Sequence, residues 1–319
     1  FSATGNRAIA PTLWPGGLGR SETCGIDLQV RDDWRYIPET LDDMCEWAAV
    51  GCDDVDDPTF ERDRRYLLYH PSVVPTEYLG VDCRVTVVLQ GFLGAFQLST
   101  LGNWKGREKD AARAVQYLVL ESGGCTEAFQ AQTRALENLK RFICMKVGSS
   151  ANDREYGGDS IYLERLVFTK VRAVSDRASF IELDDRTDPR RNARKIAHRW
   201  GINHVVQTGA RRANGENTSI ALEALRVGDF VEVSVSADIT AVRRGGRGGG
   251  GGGTVVRFGM HEVVRLWTAE EAQVWVVGMR MCANAHRDCI HRRVGLVPTA
   301  RRRDAQRKKS WLRCHQGSA

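Results

Sequence analysis

RVGDFVEVSVSADITAVRR, at residues 226–244, and TVVRFGMHEVVRLW, at residues 254–267, decide the fold. From Val231 to Ala241 every odd position is apolar, and from Val256 to Leu266 the even positions are apolar except Glu262. An alternation of period two is typical of a strand that buries one face. We therefore predict that the two stretches pair as antiparallel neighbours, in a hairpin over residues 226–267.

The segment between the two stretches, RRGGRGGGGGG at residues 243–253, contains only glycine and arginine. It predicts a long, flexible, glycine-rich loop at the tip of the hairpin. Such a loop is tolerated, because each doubling of the length of a flexible loop costs only about 0.6 kcal/mol of closure entropy. The same loop would project Arg243, Arg244 and Arg247 into solvent.

Helical patterns precede the alternating stretches. Thr40 is suited to cap a helix through about Val50. Apolar residues recur at helical spacing over 107–121 and over 126–146, and these two patterns predict an αα-hairpin. The predicted fold class is α+β, with an N-terminal α+β region at 1–147 and a mostly antiparallel β region at 148–270. Residues 271–319 form a basic tail that we expect to be disordered.

Composition bounds the class of protein. The 319 residues include 46 Lys and Arg against 40 Asp and Glu, a formal charge of +6, and 42% are hydrophobic. This ordinary globular mixture excludes a wholly disordered chain, a collagen-like chain and a small disulfide scaffold. Nine cysteines, an odd number at scattered spacings, indicate reduced thiols and an intracellular protein. The apolar runs fall far short of the roughly 20 residues that cross a bilayer, so we expect no membrane partner.

Two common motifs of phosphate binding and nucleophilic catalysis are not found in the sequence. It contains neither a G-x-x-x-x-G-K-[ST] phosphate loop nor a G-x-S-x-G nucleophile motif, and we predict no cofactor. Four residues of types that bind zinc lie close together, but their spacing matches no common zinc finger, and we assign no metal to them: Cys282, His286, Cys289 and His291. An enzyme assembled from distant residues stays open as an alternative, with His70, His204 or His261 acting beside Asp184, Asp185 or Asp229.

Three basic features point to a negatively charged partner. A short helix starting at Asp188-Pro189 would place four cations opposite its apolar face: Arg191, Arg194, Lys195 and Arg199. The glycine tract adds Arg-Gly repeats of the type found in flexible RNA-binding segments. Two clusters in the tail resemble a nuclear import signal: Arg301-Arg302-Arg303 and Arg307-Lys308-Lys309. Cations that neutralise phosphates release counterions, so these features predict contact with nucleic acid or with an acidic protein.

Several short blocks carry a family resemblance: LRVGDFVEV at 225–233, Asp238-Ile239, VRF at 256–258, VVRL at 263–266, ATGNRA at 3–8 and PTEYLG at 75–80. Together they resemble a recurring element in uncharacterised proteins of mushroom-forming fungi, and this resemblance implies a multigene fungal family without a known activity. The opening Gly228–Val231 is also similar to the first strands of SH3-like and bromo-adjacent-homology barrels. That second resemblance implies a module that binds peptides or nucleic acids.

We therefore predict an intracellular, non-catalytic binding protein, located in the nucleus, that contacts nucleic acid or an acidic partner through its basic surface and Arg-Gly loop. Two alternatives stay open: the enzyme with a site assembled from distant residues, and a structural or decayed gene product without a ligand. A misread reading frame or a retained intron would also produce the aperiodic, arginine-rich sequence after about Val276.

Overall fold

The computed structural model describes residues 3–4, 8–9, 14, 18–19, 37–52, 64–149, 158–171, 180–242 and 253–276. Several predictions fall outside these residues. They concern Arg243, Arg244 and Arg247 with most of the glycine tract, the metal candidates Cys282, His286, Cys289 and His291, and the tail after residue 276.

The helices are numbered α1 Leu41–Trp47, α2 Thr126–Lys146 and α3 Asn192–Ile196, and residues 269–276 are also helical. The strands are β1 Ala3–Thr4, β2 Ala8–Ile9, β3 Ala48–Cys52, β4 Arg64–Tyr69, β5 Thr86–Gln97, β6 Val115–Glu121, β7 Ser160–Leu166, β8 Thr169–Lys170, β9 Trp200–Gly201, β10 Gln207–Arg211, β11 Asn217–Ser219, β12 Phe230–Val242 and β13 Gly253–Trp267. In the described part of the chain, 3-10 helices span Thr76–Tyr78, Glu108–Arg113 and Leu222–Ala224.

A large, mostly antiparallel sheet dominates the fold, and the predicted α+β class is confirmed. Its main strand order is β11-β10-β13-β12-β5-β6-β7, and only the β10–β13 pair among these is parallel. β4 also pairs with β12, and β3 pairs with β4. The sheet therefore contains strands from both the 1–147 and the 148–270 regions.

The alternating stretches form the two longest strands, β12 and β13, which pair antiparallel from Phe230↔Trp267 to Val242↔Gly253. The odd-numbered side chains from Val231 to Ile239 are buried in β12, as the period-two pattern predicts. Ser234 pairs with Glu262 whereas Val235 pairs with Met260, so His261 is an extra residue in β13. Such a β-bulge changes which face the following side chains occupy, and it accounts for the interruption of the apolar pattern at Glu262.

The sheet is strongly curved, so that β7, at one end of the strand order, lies against β13. Arg165 of β7 donates from its guanidinium NH1 to the carbonyl oxygen of Met260 at 3.0 Å. Glu164 accepts from Nε of Arg257 at 2.8 Å, in a half-buried ion pair. Side chains of β7 are thereby placed beside the bulge at His261.

The predicted αα-hairpin is wrong, because residues 115–121 form strand β6 between β5 and β7. Only Glu108–Arg113 within 107–121 is helical, as a 3-10 helix. The prediction over 126–146 agrees with α2. The helix capped by Thr40 ends at Trp47 rather than near Val50, because Ala48, Ala49 and Val50 pair with β4.

Helix α2 packs against the sheet, and one of its side chains forms hydrogen bonds with backbone groups of β5 that β6 leaves unpaired. The Gln132 side-chain amide accepts from the Gln90 backbone N–H at 2.6 Å and donates to the Gln90 carbonyl oxygen at 2.8 Å. The amide thus satisfies backbone groups of β5 at a position where β6 does not pair with it. Ala272 of the helical segment 269–276 is fully buried, so the first residues of the predicted tail belong to the folded part.

A second, smaller apolar cluster lies apart from the main core. It contains Ala111, Ala114, Val167, Phe168, Ala193, Ile196 and Ile202, with Trp104 and Trp200 packed against it. Strands β8 and β9 pair across it, and α3 lies on it through Ala193 and Ile196. Within the described ranges, none of the helices combines the length and the apolar character that crossing a bilayer demands.

Candidate functional site

The four predicted cations of the 188–199 segment lie together on the surface beside the small cluster. Arg191 precedes α3, Arg194 and Lys195 lie in it, and Arg199 directly precedes β9. All four are exposed. Each also has a partner within the protein, because Lys195 Nζ donates to Asn192 Oδ1 at 3.1 Å and Arg199 NH1 pairs with Glu108 Oε1 at 2.6 Å.

Asp185 is the partner of the other two cations. Arg191 donates from Nε to Asp185 Oδ1 at 3.2 Å and from NH2 to Oδ2 at 3.1 Å, in a two-bond fork. Arg194 NH1 lies 3.4 Å from Asp185 Oδ1, and its NH2 donates to the Leu183 carbonyl oxygen at 2.6 Å. The Arg191 and Asp185 side chains are 63% and 62% exposed, so this ion pair is screened by water and contributes about 0–1 kcal/mol.

The position of α3 depends on Asp188, which the sequence pattern predicts only as the start of a helix. The Asp188 carboxylate, 2% exposed, accepts backbone N–H bonds from Asn192 at 2.9 Å, Ala193 at 2.8 Å and Arg194 at 3.2 Å. Three bonds to one carboxylate satisfy the free donors of the first turn. Arg191 lies between Asp188 and the first residue of α3, and its φ is +51°. Among the described residues that are not glycine, only Arg191 has a positive φ.

A cleft of about 630 Å³ lies beside α3, and Arg194 is the one of the four cations that lines it. Its aromatic lining comes from Phe168, Phe180 and Trp200, and its basic lining from Arg194 and His198. The other lining residues are Ile181, Glu182, Leu183, Ala193, Ala197, Gly201 and Ile202. Aromatic faces beside a guanidinium can stack a planar group while binding an anion attached to it.

The aromatic lining is brought together by backbone pairing over long stretches of sequence. Thr169 pairs with Gly201, which places Phe168 near Trp200. The Ile181 N–H donates to the Ile202 carbonyl oxygen at 2.7 Å, which places Phe180 over Gly201. Gly201 is required there, because a Cβ at this position would lie 2.4 Å from the Phe180 ring. No local pattern in the sequence indicates this cleft.

Two of the predicted histidines meet at the bulge. The rings of His204 and His261 lie edge to face with centroids 5.4 Å apart. Burial and the neighbouring Arg165 guanidinium lower the pKa of His204 from 6.5 to about 4. Burial, Arg165 and Arg84 lower the pKa of His261 from 6.5 to about 4 as well. Both imidazoles are therefore neutral at physiological pH.

The hydrogen bonds of His261 are unfavourable for nucleophilic catalysis. Its Nε2 lies 2.6 Å from Ser236 Oγ, and its Nδ1 lies 3.4 Å from Arg165 NH1. A guanidinium can only donate, so the neutral ring carries its proton on Nε2 and donates to Ser236. A Ser–His pair that activates the hydroxyl needs the opposite direction, with the ring nitrogen as acceptor.

The three carboxylates of the enzyme alternative form their hydrogen bonds and ion pairs with residues other than the histidines. Asp184 accepts from Thr187, Asp185 pairs with Arg191, and Asp229 accepts from the backbone N–H groups of Arg226 and Ala269. His70 is bonded to Ser72 at 2.6 Å. Among the described residues, then, no hydrogen bond joins one of the three predicted histidines to one of the three carboxylates.

No protein-family model matches the chain, and no curated protein matches its sequence. The resemblance to a family of mushroom-forming fungi stays a prediction. The proposal of a function therefore depends on the chemistry of the residues themselves. In the cleft beside α3, aromatic and cationic side chains line the same concave surface.

Proposed function

We propose that the protein is a non-catalytic, intracellular binding protein that holds nucleic acid at the cleft beside α3. The observation that carries the proposal is the shared lining of that cleft by Trp200, Phe180 and Phe168 with Arg194 and His198. The charge of +6 also favours association with a polyanion.

Each kind of lining residue has a separate role. Phe168 is buried, so the partly exposed rings of Trp200 and Phe180 are the ones that stack an unpaired base. Such a contact contributes about 1–3 kcal/mol per base and tolerates any sequence. Arg194 binds the adjoining phosphate, and a guanidinium suits this role because its N–H groups match the phosphate oxygens. A base that stacks in the cleft cannot remain in a duplex, so the ligand is single-stranded.

The surrounding cations extend the contact along the backbone of the ligand. Arg191, Lys195 and Arg199 position phosphates without reading sequence. Arg243, Arg244 and Arg247 add diffuse contacts in the same proposal. The clusters Arg301-Arg302-Arg303 and Arg307-Lys308-Lys309 direct the protein to the nucleus, which imaging of a fluorescent fusion with and without these clusters would test.

The test of binding is fluorescence anisotropy with a short, labelled, single-stranded oligonucleotide and the full chain, repeated between 50 and 200 mM salt. Affinity should fall steeply with salt, since neutralised phosphates release counterions. Trp200→Ala should weaken binding about tenfold or more and Trp200→Phe should retain most of it. Arg194→Ala should weaken binding and flatten the salt dependence.

Two controls separate this proposal from its rivals. Arg134→Ala removes one positive charge from the exposed face of α2, outside the cleft, and should leave the affinity nearly unchanged. Polyglutamate serves as a competitor that has charge but no bases. If polyglutamate binds as tightly as the oligonucleotide and Trp200→Ala has no effect on either, the partner is an acidic protein. If the affinity for the oligonucleotide does not change with salt concentration, the proposal is refuted.

A further inference from the structure

We infer that Asp185 occupies, in the free protein, the position that a ligand phosphate takes in the complex. This inference rests on the proposed function. Asp185 holds Arg191 in a fork and also contacts Arg194, which lines the cleft. The carboxylate is thus an internal competitor for the cations that bind the ligand.

The geometry of the fork supports this role. Two nearly equal contacts, at 3.2 and 3.1 Å, join the Arg191 Nε and NH2 groups to the two carboxylate oxygens. A guanidinium presents the same pair of donors to two oxygens of a phosphate. A phosphate can therefore replace the Asp185 carboxylate while the Nε and NH2 donors of Arg191 keep their arrangement.

The backbone on both sides of the fork is held in place. Asp184 Oδ1 accepts from the Thr187 N–H at 2.8 Å and from the Thr187 hydroxyl at 2.7 Å, which fixes the turn that carries Asp185. On the other side, the Arg191 N–H donates to the Asp188 carbonyl oxygen at 2.8 Å. The two charged side chains are thus ordered at their bases while their ends remain in solvent, where they can exchange partners.

The energetics allow the exchange. Because both side chains are more than half exposed, separating the pair costs little. A charge-assisted bond to phosphate replaces the one that is lost, and the departing carboxylate is solvated. The remaining effect of Asp185 is competition and like-charge repulsion of the ligand, which weakens binding.

The test compares Asp185→Asn with Glu77→Gln, which makes the same change of charge in the exposed 3-10 helix Thr76–Tyr78, outside the cleft. Asp185→Asn should tighten binding of the single-stranded oligonucleotide about fivefold to tenfold at low salt, since it removes two surface ion pairs. Glu77→Gln should change the affinity less than twofold. The midpoint of urea unfolding should move little in either variant.

A double-mutant cycle tests the mechanism directly. Arg191→Ala should weaken binding only slightly in the native chain, where the guanidinium is already occupied, and about fivefold or more in the Asp185→Asn background. Equal losses in the two backgrounds would overturn the inference. So would equal affinities of the native chain and Asp185→Asn.

The outcomes also separate this inference from the proposed function. Binding that depends on Trp200 and Arg194 but not on Asp185 leaves the proposed function in place and removes the inference. Binding seen only after Asp185→Asn supports both. If neither the native chain nor Asp185→Asn binds the oligonucleotide, both are refuted.

Discussion

The two histidines at the β13 bulge should make the stability of the protein depend on pH. His204 and His261 have pKa values of about 4 in the folded protein, against 6.5 as the ordinary value. Between these values the unfolded chain binds protons that the folded protein does not, so lowering the pH favours unfolding. The stabilisation is fully present above pH 6.5 and is lost as the pH falls toward 4.

The size of the effect follows from the two pKa values. For a single imidazole whose pKa is lowered from 6.5 to about 4, the free energy of unfolding falls by about 2 kcal/mol between pH 7 and pH 5. Since part of each ring is open to solvent, we halve that figure for screening. The pair together should then reduce the free energy of unfolding by about 2 kcal/mol over this interval.

Urea unfolding followed by tryptophan fluorescence at pH 7, 6 and 5 measures this loss. The double variant His204→Gln with His261→Gln removes both titrating groups, and the comparison concerns its pH dependence rather than its absolute stability. Its free energy of unfolding should change about 2 kcal/mol less than that of the native chain. His198→Gln, at an exposed position, serves as the control. The reasoning is refuted if the double variant and the native chain lose stability equally between pH 7 and pH 5.

Three further variants test other contacts. Asp188→Ala removes the carboxylate that caps α3 and should lower the free energy of unfolding by about 2 kcal/mol, measured by urea titration; a loss below 0.5 kcal/mol would contradict the capping role. Gln132→Leu leaves the Gln90 backbone groups unpaired and should cost about 2–3 kcal/mol in the same assay, with an unchanged midpoint as the contrary result. Gly201→Ala forces the Phe180 ring to move, because the new Cβ would lie 2.4 Å from it. It should weaken oligonucleotide binding severalfold in the anisotropy assay, and an unaltered affinity would show that this ring does not contact the ligand.

The alternating strands were predictable because burial on one face imposes a pattern that local sequence displays. Val231, Val233 and Val235 are buried in β12, with polar residues between them. Even the interruption at Glu262 has a structural cause, the extra residue His261 in β13. Where one face of a strand is uniformly apolar, period two is therefore a sufficient signal.

Strand β6 was misassigned because a buried polar side chain hides its alternation. Gln116, Leu118 and Leu120 form its buried face. The Gln116 amide is satisfied by donating to the carbonyl oxygens of Leu98 and Ser99 at 3.2 and 3.0 Å. These acceptors lie in another segment, so the sequence alone gives no reason to count a glutamine as a core residue. The remaining apolar residues then match helical spacing by coincidence.

The candidate site was predictable in part. The cationic residues from Arg191 to Arg199 are visible in the sequence, and all of them are exposed as expected. The ion pairs of Arg191 and Arg194 with Asp185, and the aromatic lining of the cleft, cannot be predicted from the sequence. Both depend on contacts between segments: the turn at Asp184 carries Asp185 to Arg191, and pairing of β8 with β9 carries Phe168 to Trp200.

The place of β5 beside β12 has a consequence for synthesis of the chain. Gln90 of β5 bonds to Glu232 of β12, and the two residues are 142 positions apart. At ribosomal rates of roughly 5–20 residues per second, β5 must wait on the order of 10 s for its neighbour to be translated. Strand β6 can pair with one edge of β5 early in synthesis, but the edge that pairs with β12 stays open throughout that interval. The yield of the protein in cells should therefore depend on chaperones that shield this edge.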